Sequence, residues 1–527
     1  MSPFGTMSRR SLLTLIGATA GSAAMLRAMT TMGHAQESDY KPVKLEGDPK
    51  GASVVILGAG LAGMTAALEL RDAGYKVTIL EYQKRAGGRC MTLRGGDEVH
   101  EMGGFVQKVG FSEGQFFNNG PWRIPHHHQG VIHYCQRLGV ALQPFVQENL
   151  SAYLHSKDAF DGKPQRQSWI KADYQGYVTE LLTKAVNAGA LDDEVTGETK
   201  DMLLESLREY GALDKDMRYA SNIGTSNLRG YDKPAGGGMT SAPVASTPIG
   251  RDDLLRSGLW HHLREHDIYE HHAPLFQPIG GMDMIARGFA NEVGDLITYD
   301  ARVTRIAQSE TGVTIDYDSS SGEGQGGQVT ADYCVCTIPF SVLGQIEADL
   351  SSDLQNAVDT VWYYEGFKAG LEMKRRFWEQ DEKIYGGITF TDLSIGQISY
   401  PSADMMSAGP GVLLGAYQFG KPAFEFTALT PEQRIERCLA DGEKIHGPNY
   451  RQEFSAGATF GWHRNSWTLG CYGHWDEYGE TFFKACEVDR RLVCAGEHLS
   501  QWPGWQEGAI LSALDAITRL HQRVIAG

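Results

Sequence analysis

The sequence predicts a mixed α/β fold, and three observations carry that expectation. A short apolar run at Ser53–Leu57 leads through a glycine-rich turn and a helical pattern to a second run at Lys76–Leu80. That order suits parallel strands buried between helices. Further β-branched runs recur far downstream, at 303–306, 313–317 and 333–337, so sheet segments are spread along the chain. Glycine supplies 63 of the 527 residues, above the usual share of about 7%, as tight turns and close backbone approaches require.

The first 35 residues stand apart from the fold. Ser8-Arg9-Arg10-Ser11-Leu12-Leu13 opens a weakly apolar stretch over 12–25, and Gly33-His34-Ala35 places small residues where a signal peptidase reads. The order resembles a twin-arginine export signal cleaved after Ala35, which implies a periplasmic or secreted protein. No stretch reaches the roughly 18 uninterrupted apolar residues of a spanning helix, so no membrane span is expected.

The glycine turn itself reads Gly58-Ala59-Gly60-Leu61-Ala62-Gly63, a GxGxxG fingerprint between a strand and a helix. Gly58 permits the tight turn, Gly60 lets backbone approach a pyrophosphate, and Gly63 lets helix and strand close on one another. The helix N-terminus stabilises phosphate through free N–H groups and its dipole. Glu81 ends the second strand, 23 residues after Gly58, where a carboxylate accepts from ribose hydroxyls. The unit predicts a Rossmann-type dinucleotide-binding domain.

Charge excludes other classes. The chain carries 48 Lys+Arg against 65 Asp+Glu, a net charge of −17, and offers no basic face for nucleic acid. Its eight cysteines form no CxxC pair and read as small core residues rather than a zinc or disulfide framework.

Arg85-Ala86-Gly87-Gly88-Arg89 follows Glu81, and two arginines around two glycines make an oxyanion clamp. This segment resembles the R-x-G-G-R element of the flavin amine oxidase family, where it gives the FAD pyrophosphate a second contact. Two more segments match that family. One is the hairpin predicted over 301–317, followed by a Ser/Gly loop over 319–328, whose backbone near Val303 would meet adenine. The other is Val493-Cys494-Ala495-Gly496-Glu497 with Gly504-Trp505-Gln506-Glu507-Gly508-Ala509. The resemblance implies FAD as cofactor, held by Gly58, Ala59, Gly60, Ala62, Gly63, Glu81, Arg85, Gly88, Arg89, Val303, Gly496 and Glu497. Gly120, Pro121, Trp122, Trp462, Gly504 and Trp505 complete the expected cofactor contacts.

The remaining motifs bear on substrate. Gly120-Pro121-Trp122-Arg123-Ile124-Pro125 resembles a segment of L-amino-acid oxidases whose arginine grips the α-carboxylate; a planar guanidinium matches that group. In Ile398-Ser399-Tyr400-Pro401, Tyr400 is assigned to the same carboxylate. The Gly504 carbonyl would accept from the amine, with Trp505 beside it. Lys368, in Tyr363-Tyr364-Glu365-Gly366-Phe367-Lys368, matches the family lysine that holds a water against flavin N5. Cys471-Tyr472 is spaced from Trp462 as in monoamine oxidases, whose cysteine bonds the flavin. The preceding Thr468-Leu469-Gly470 departs from their Ser-Gly-Gly. Non-covalent FAD is therefore expected, with a Cys471 thioether as the alternative.

No metal is expected. His126-His127-His128 should begin a helix with neighbours pointing apart, and His262 with His266 lacks a third ligand. Trp462, Trp467, Trp475, Trp502 and Trp505 hint at an aromatic-lined site. The stretch 230–251, with Ala235-Gly236-Gly237-Gly238, reads as a long mobile loop that either gates entry or is a plain surface excursion.

The expected architecture is the amine oxidase fold. Residues 45–110, 275–345 and 465–527 form the FAD-binding domain. Residues 111–274 and 346–464 form an interleaved substrate domain of mixed sheet and helices. The expected activity is oxidation of L-amino acids by FAD and O2, in a protein whose expected assembly is a homodimer. A monoamine or polyamine oxidase, a decarboxylating amino-acid monooxygenase and a non-enzymatic flavin carrier are the rivals.

Overall fold

Parallel strands drawn from distant stretches of the chain meet in one sheet. In the computed structural model, which describes residues 40–195, 197–322 and 324–526, its order is Ile297–Thr298, Lys76–Leu80, Ser53–Leu57, Tyr333–Cys336 and Leu492–Cys494. The short Val488–Asp489 runs antiparallel at the edge. The expected signal segment 1–35 lies outside the described residues.

The alternation of side chains explains why these strands read as unbroken apolar runs. Val54, Ile56, Val335 and Val493 face a core built with the helices Leu61–Asp72, Asp283–Val293 and Gln506–Ala526. Val55, Leu57, Cys334, Cys336 and Cys494 face a second core with Phe340, Leu354 and Phe482. Both faces are covered, so neither can be polar. The cysteines there are small core residues, and all eight are free thiols.

A seven-stranded sheet forms the second layer, in the order Gln165–Arg166, Tyr153–His155, Ile388–Thr391, Gln397–Ser399, Gly411–Phe419, Gly366–Met373 and Phe454–Gly461. Gly366–Met373 is buried along its whole length. Its antiparallel register sets Lys368 between Tyr417 and Phe460.

The hairpin expected over 301–317 is Ala301–Gln308 paired with Val313–Ser319, with a register shift between Val303 and Arg305. The Ser/Gly stretch is shorter than expected. Strand Gly327–Ala331 joins the hairpin, and Glu347–Ala348 completes four strands.

Helices Gln167–Asn187, Gly197–Tyr210, Ile223–Arg229 and Arg251–Ser257 lie between these sheet segments in sequence. The loop expected over 230–251 is tied at its base: Tyr231–Lys233 pairs with Val244–Ala245, and the Ser246 amide donates to Ser226 Oγ at 3.0 Å. Its glycine-rich tip, 234–243, forms neither helix nor strand. Among the described residues, no helix is long and apolar enough to cross a membrane.

Candidate active site

A cavity of about 1220 Å³ opens where the strand ends meet, and both halves of the predicted site contribute to its wall. That exceeds the several hundred cubic ångströms of an ordinary small-ligand pocket. Gly58, Gly60, Ala62, Glu81, Gly88, Arg89, Val303, Gly496 and Glu497 line one half. Gly120, Pro121, Trp122, Arg123, Lys368, Trp462, Gly504 and Trp505 line the other.

The glycine turn fits a phosphate ligand. A Cβ on Gly63 would sit 2.0 Å from the Gly58 carbonyl oxygen, so only glycine lets the helix start so close to the strand. A Cβ on Gly60 would meet no protein atom within 4 Å, because it would project into the cavity. Helix Leu61–Asp72 has no side-chain cap, which leaves its first N–H groups for a ligand. Ala59 and Gly63 shape the turn from behind and are not on the wall.

Glu81 is buried at the strand end and accepts from the Ala59 and Gln83 amides, at 2.6 and 2.8 Å. Burial raises its carboxyl above the usual range. The two-arginine clamp is corrected by the structure. Arg89 lines the cavity, donating to Glu497 Oε1 at 2.5 Å and to the Cys471 carbonyl at 3.0 Å. Arg85 turns back onto its own loop, donating to the Gly88 carbonyl at 2.9 Å and lying over the Trp467 ring. Of the two arginines only Arg89 faces the cavity, and Arg85 holds the loop instead.

Glu497 ties the closing motif together. Its Oε2 accepts from the Gly504 amide at 3.0 Å while Oε1 holds Arg89, which fixes Gly504 at φ +78° beside Tyr472.

The Gly120–Pro125 motif is pinned at its start by one side chain from the second sheet and one from the turn that follows its strand Phe454–Gly461. Trp462 Nε1 donates to the Asn119 carbonyl at 2.9 Å, and Lys368 Nζ donates to the Gly120 carbonyl. Lys368 is 3% exposed, with its ammonium over the rings of Tyr417 and Trp122 at 4.5 and 5.0 Å. Burial, then the charge of Arg123, lowers its pKa to about 7.

Arg123 follows at the cavity wall, over Trp122 and Trp505 at 5.2 and 5.8 Å. It donates to Gln147 Oε1 at 3.1 Å and contacts His271 Nε2 at 2.5 Å, while its Nε has no partner. Among the described residues no carboxylate pairs with it, and burial lowers its pKa to about 10. A buried guanidinium without a counter-ion is costly, and a ligand carboxylate would relieve that cost.

Comparison with known proteins agrees with this geometry. The model of the flavin containing amine oxidoreductases matches residues 61–520. The chain belongs to that family. An L-amino-acid oxidase of Vipera ammodytes ammodytes is 29% identical over 507 residues, covering 91% of this chain and 96% of that one. L-amino acid oxidase Bs29 of Bothriechis schlegelii is 28% identical over 508 residues, 91% and 93% of the two chains. Among solved structures, cyclohexylamine oxidase from Brevibacterium oxydans IH-35A superposes with a TM-score of 0.59 at 17% identity, covering 90% of this chain and 99% of that one. The amine oxidase fold expected from the sequence is therefore the observed one.

This amine oxidoreductase departs from the sequence reading at Tyr400. That side chain is fully buried in the core beneath the second sheet. Its hydroxyl is engaged with Thr389 Oγ1 at 2.7 Å and His446 Nε2 at 3.0 Å, away from Arg123. The strand Gln397–Ser399 directs Tyr400 to the far face of the sheet. Tyr417 lines the cavity instead, packing edge-on against Trp122 beside Lys368. Its position in the register, opposite Lys368, is the signal that would have found it. Tyr400→Phe is accordingly expected to lower stability by about 1–3 kcal/mol, the usual penalty for stranding buried polar partners, in thermal or urea unfolding. Substrate KM should stay unchanged.

The histidines have structural partners. His128 immediately precedes helix Gln129–Arg137, and His127 stacks on Tyr269 at 4.1 Å. His262 stacks on Phe390, and His266 contacts Gln167 Oε1 at 3.2 Å. Of the tryptophans, Trp462, Trp467 and Trp505 line the cavity. Trp475 is core, with Nε1 donating to the His498 carbonyl at 2.6 Å, and Trp502 packs on His127 and His128. Sequence reasoning also missed Gln147 and His271, which no motif marks.

Proposed function

We propose that the chain is an exported oxidase of L-amino acids that uses FAD and O2. The observation that carries this reading is the unneutralised Arg123 guanidinium on the wall of the cavity that also holds the glycine fingerprint. The overall reaction takes an L-amino acid, O2 and water to a 2-oxo acid, ammonia and hydrogen peroxide. Bound FAD supplies its redox chemistry by accepting a hydride from Cα.

In this reading residues 45–110, 275–345 and 465–527 bind FAD, and 111–274 with 346–464 form the substrate side. Arg123 takes the α-carboxylate in a bidentate contact, and the Tyr417 hydroxyl donates to the same group. The Gly504 carbonyl orients the neutral amine. Lys368, whose pKa burial lowers to about 7, holds the Gly120 backbone and with it the Arg123 segment. Catalysis is then chiefly positioning, which needs no strong base. The aromatic walls at Tyr364, Phe419 and Tyr472 suit apolar or aromatic side chains.

The reading is tested by mixing the holoenzyme anaerobically with L-amino acids, their D-enantiomers and the decarboxylated amines while recording flavin absorbance. Bleaching by the L-amino acids supports it; bleaching by amines alone overturns it. Tyr417→Phe should raise KM for L-amino acids about tenfold or more, as loss of a hydrogen bond to a charged group does.

Cys471 bears on the cofactor linkage. Its Sγ donates to the Tyr364 carbonyl at 3.0 Å, and burial pushes the thiol up to about 12. A thiol so protonated is a poor nucleophile. Acid precipitation should therefore leave the flavin in the supernatant; flavin retained in the pellet would instead assign a thioether.

A further inference from the structure

Arg123 is gripped by two neutral acceptors, and one of them has a defined protonation state. His271 Nδ1 lies 2.7 Å from the Glu265 carbonyl oxygen, and Nε2 lies 2.5 Å from the Arg123 guanidinium. A carbonyl only accepts and a guanidinium only donates. The imidazole is thereby fixed as the Nδ1–H tautomer, with the Nε2 lone pair on the arginine. Burial first, and then the adjacent guanidinium, keep it neutral down to about pH 4.

Acids are at hand but do not take this place. Glu265 and Glu270 both precede His271 and act on Arg123 through their charge at a distance, yet Glu265 engages the histidine only through its main-chain carbonyl, and neither carboxylate forms a salt bridge with Arg123. Gln147 Oε1, the second acceptor, is also uncharged. Two of the five guanidinium N–H groups are so occupied, and Nε is left without a partner. The single turn Tyr269–His271 that carries the imidazole is anchored by the stacking of Tyr269 on His127.

We propose that His271 is a specificity-determining positioning residue. It fixes the Arg123 guanidinium without cancelling its charge, so that the charge remains for the α-carboxylate of an amino acid. The inference rests on the oxidase reading above. A carboxylate at position 271 would supply the counter-ion internally and exclude the one on the substrate; an amide would not.

The test compares wild-type, H271N and H271E holoenzymes. Kd for 3-phenylpropionate, a carboxylate without an amine, is read from the flavin spectrum, and KM for L-phenylalanine from anaerobic bleaching. H271E should weaken both by about 100-fold or more, in the range for replacing a buried charge partner. FAD content and melting temperature should stay unchanged. H271N should stay within a few-fold of wild type, since its amide oxygen accepts as the imidazole does. H271D repeats the measurement should H271E not take up FAD. Equal losses in H271N and the acidic variant, or an acidic variant that binds 3-phenylpropionate as wild type does, would overturn the proposal. Wild-type bleaching by L-phenylalanine with an indifferent H271E overturns the role of His271 alone. Wild-type bleaching by 2-phenylethylamine and not L-phenylalanine overturns the oxidase reading with it.

Discussion

Arg123→Ala is expected to lower kcat/KM for L-amino acids by about 10²- to 10³-fold, the range for losing a desolvated, bidentate charge pair. The loss should fall mainly on KM. The substrate carboxylate would enter a wall of Trp122, Trp505 and Tyr417 without the guanidinium to meet it. The decarboxylated amine has no such group, so its own kcat/KM should barely change. The variant should still fold, because removing a guanidinium buried without a salt bridge offsets the loss of a donor to Gln147 and His271. Steady-state kinetics on an acid–amine pair, with unfolding curves, checks both halves. A parallel loss for acid and amine would make Arg123 structural.

Gly60→Val should abolish FAD binding while leaving the apoprotein folded. Its Cβ would meet no protein atom within 4 Å, so the fold has room for the branched side chain. That room is the space a pyrophosphate needs against the free N–H groups of helix Leu61–Asp72. The expected result is a colourless protein whose melting temperature matches that of wild-type apoprotein. Gly63→Ala should act differently. Its Cβ would collide with the Gly58 carbonyl at 2.0 Å, so backbone must shift and the fold itself should weaken. The pair separates cofactor space from packing space within one turn.

Much of the cofactor half was legible because its residues sit in contiguous motifs whose spacing encodes a local shape. Gly58 through Glu81 is one strand–turn–helix–strand unit, and its wall positions follow from that geometry. Arg85 misled because a motif names a loop and not the direction of each side chain on it. On the side of Arg123, the residues legible as cavity wall were Arg123, Lys368, Gly504 and Trp505, which lie in marked segments. Tyr400 and Tyr417 both lie in or next to strands of one sheet, and whether a tyrosine faces the cavity or the core depends on cross-strand register. His271 and Gln147 reach Arg123 from segments 148 and 24 residues away in sequence, with no spacing rule to announce them.

The scattered origin of the parallel sheet bears on the order of assembly. Strand Ser53–Leu57 is among the first made, but Tyr333–Cys336, Leu492–Cys494 and the Gly496–Glu497 wall come late. A nascent chain emerging N-terminus first therefore exposes its fingerprint long before the opposite wall exists, and it cannot enclose a nucleotide until residues 492–526 have left the ribosome. Such long-range pairing also slows folding. Cofactor enclosure should thus follow synthesis of residues 492–526, and a truncation that removes this segment should cost the whole flavin site rather than its edge.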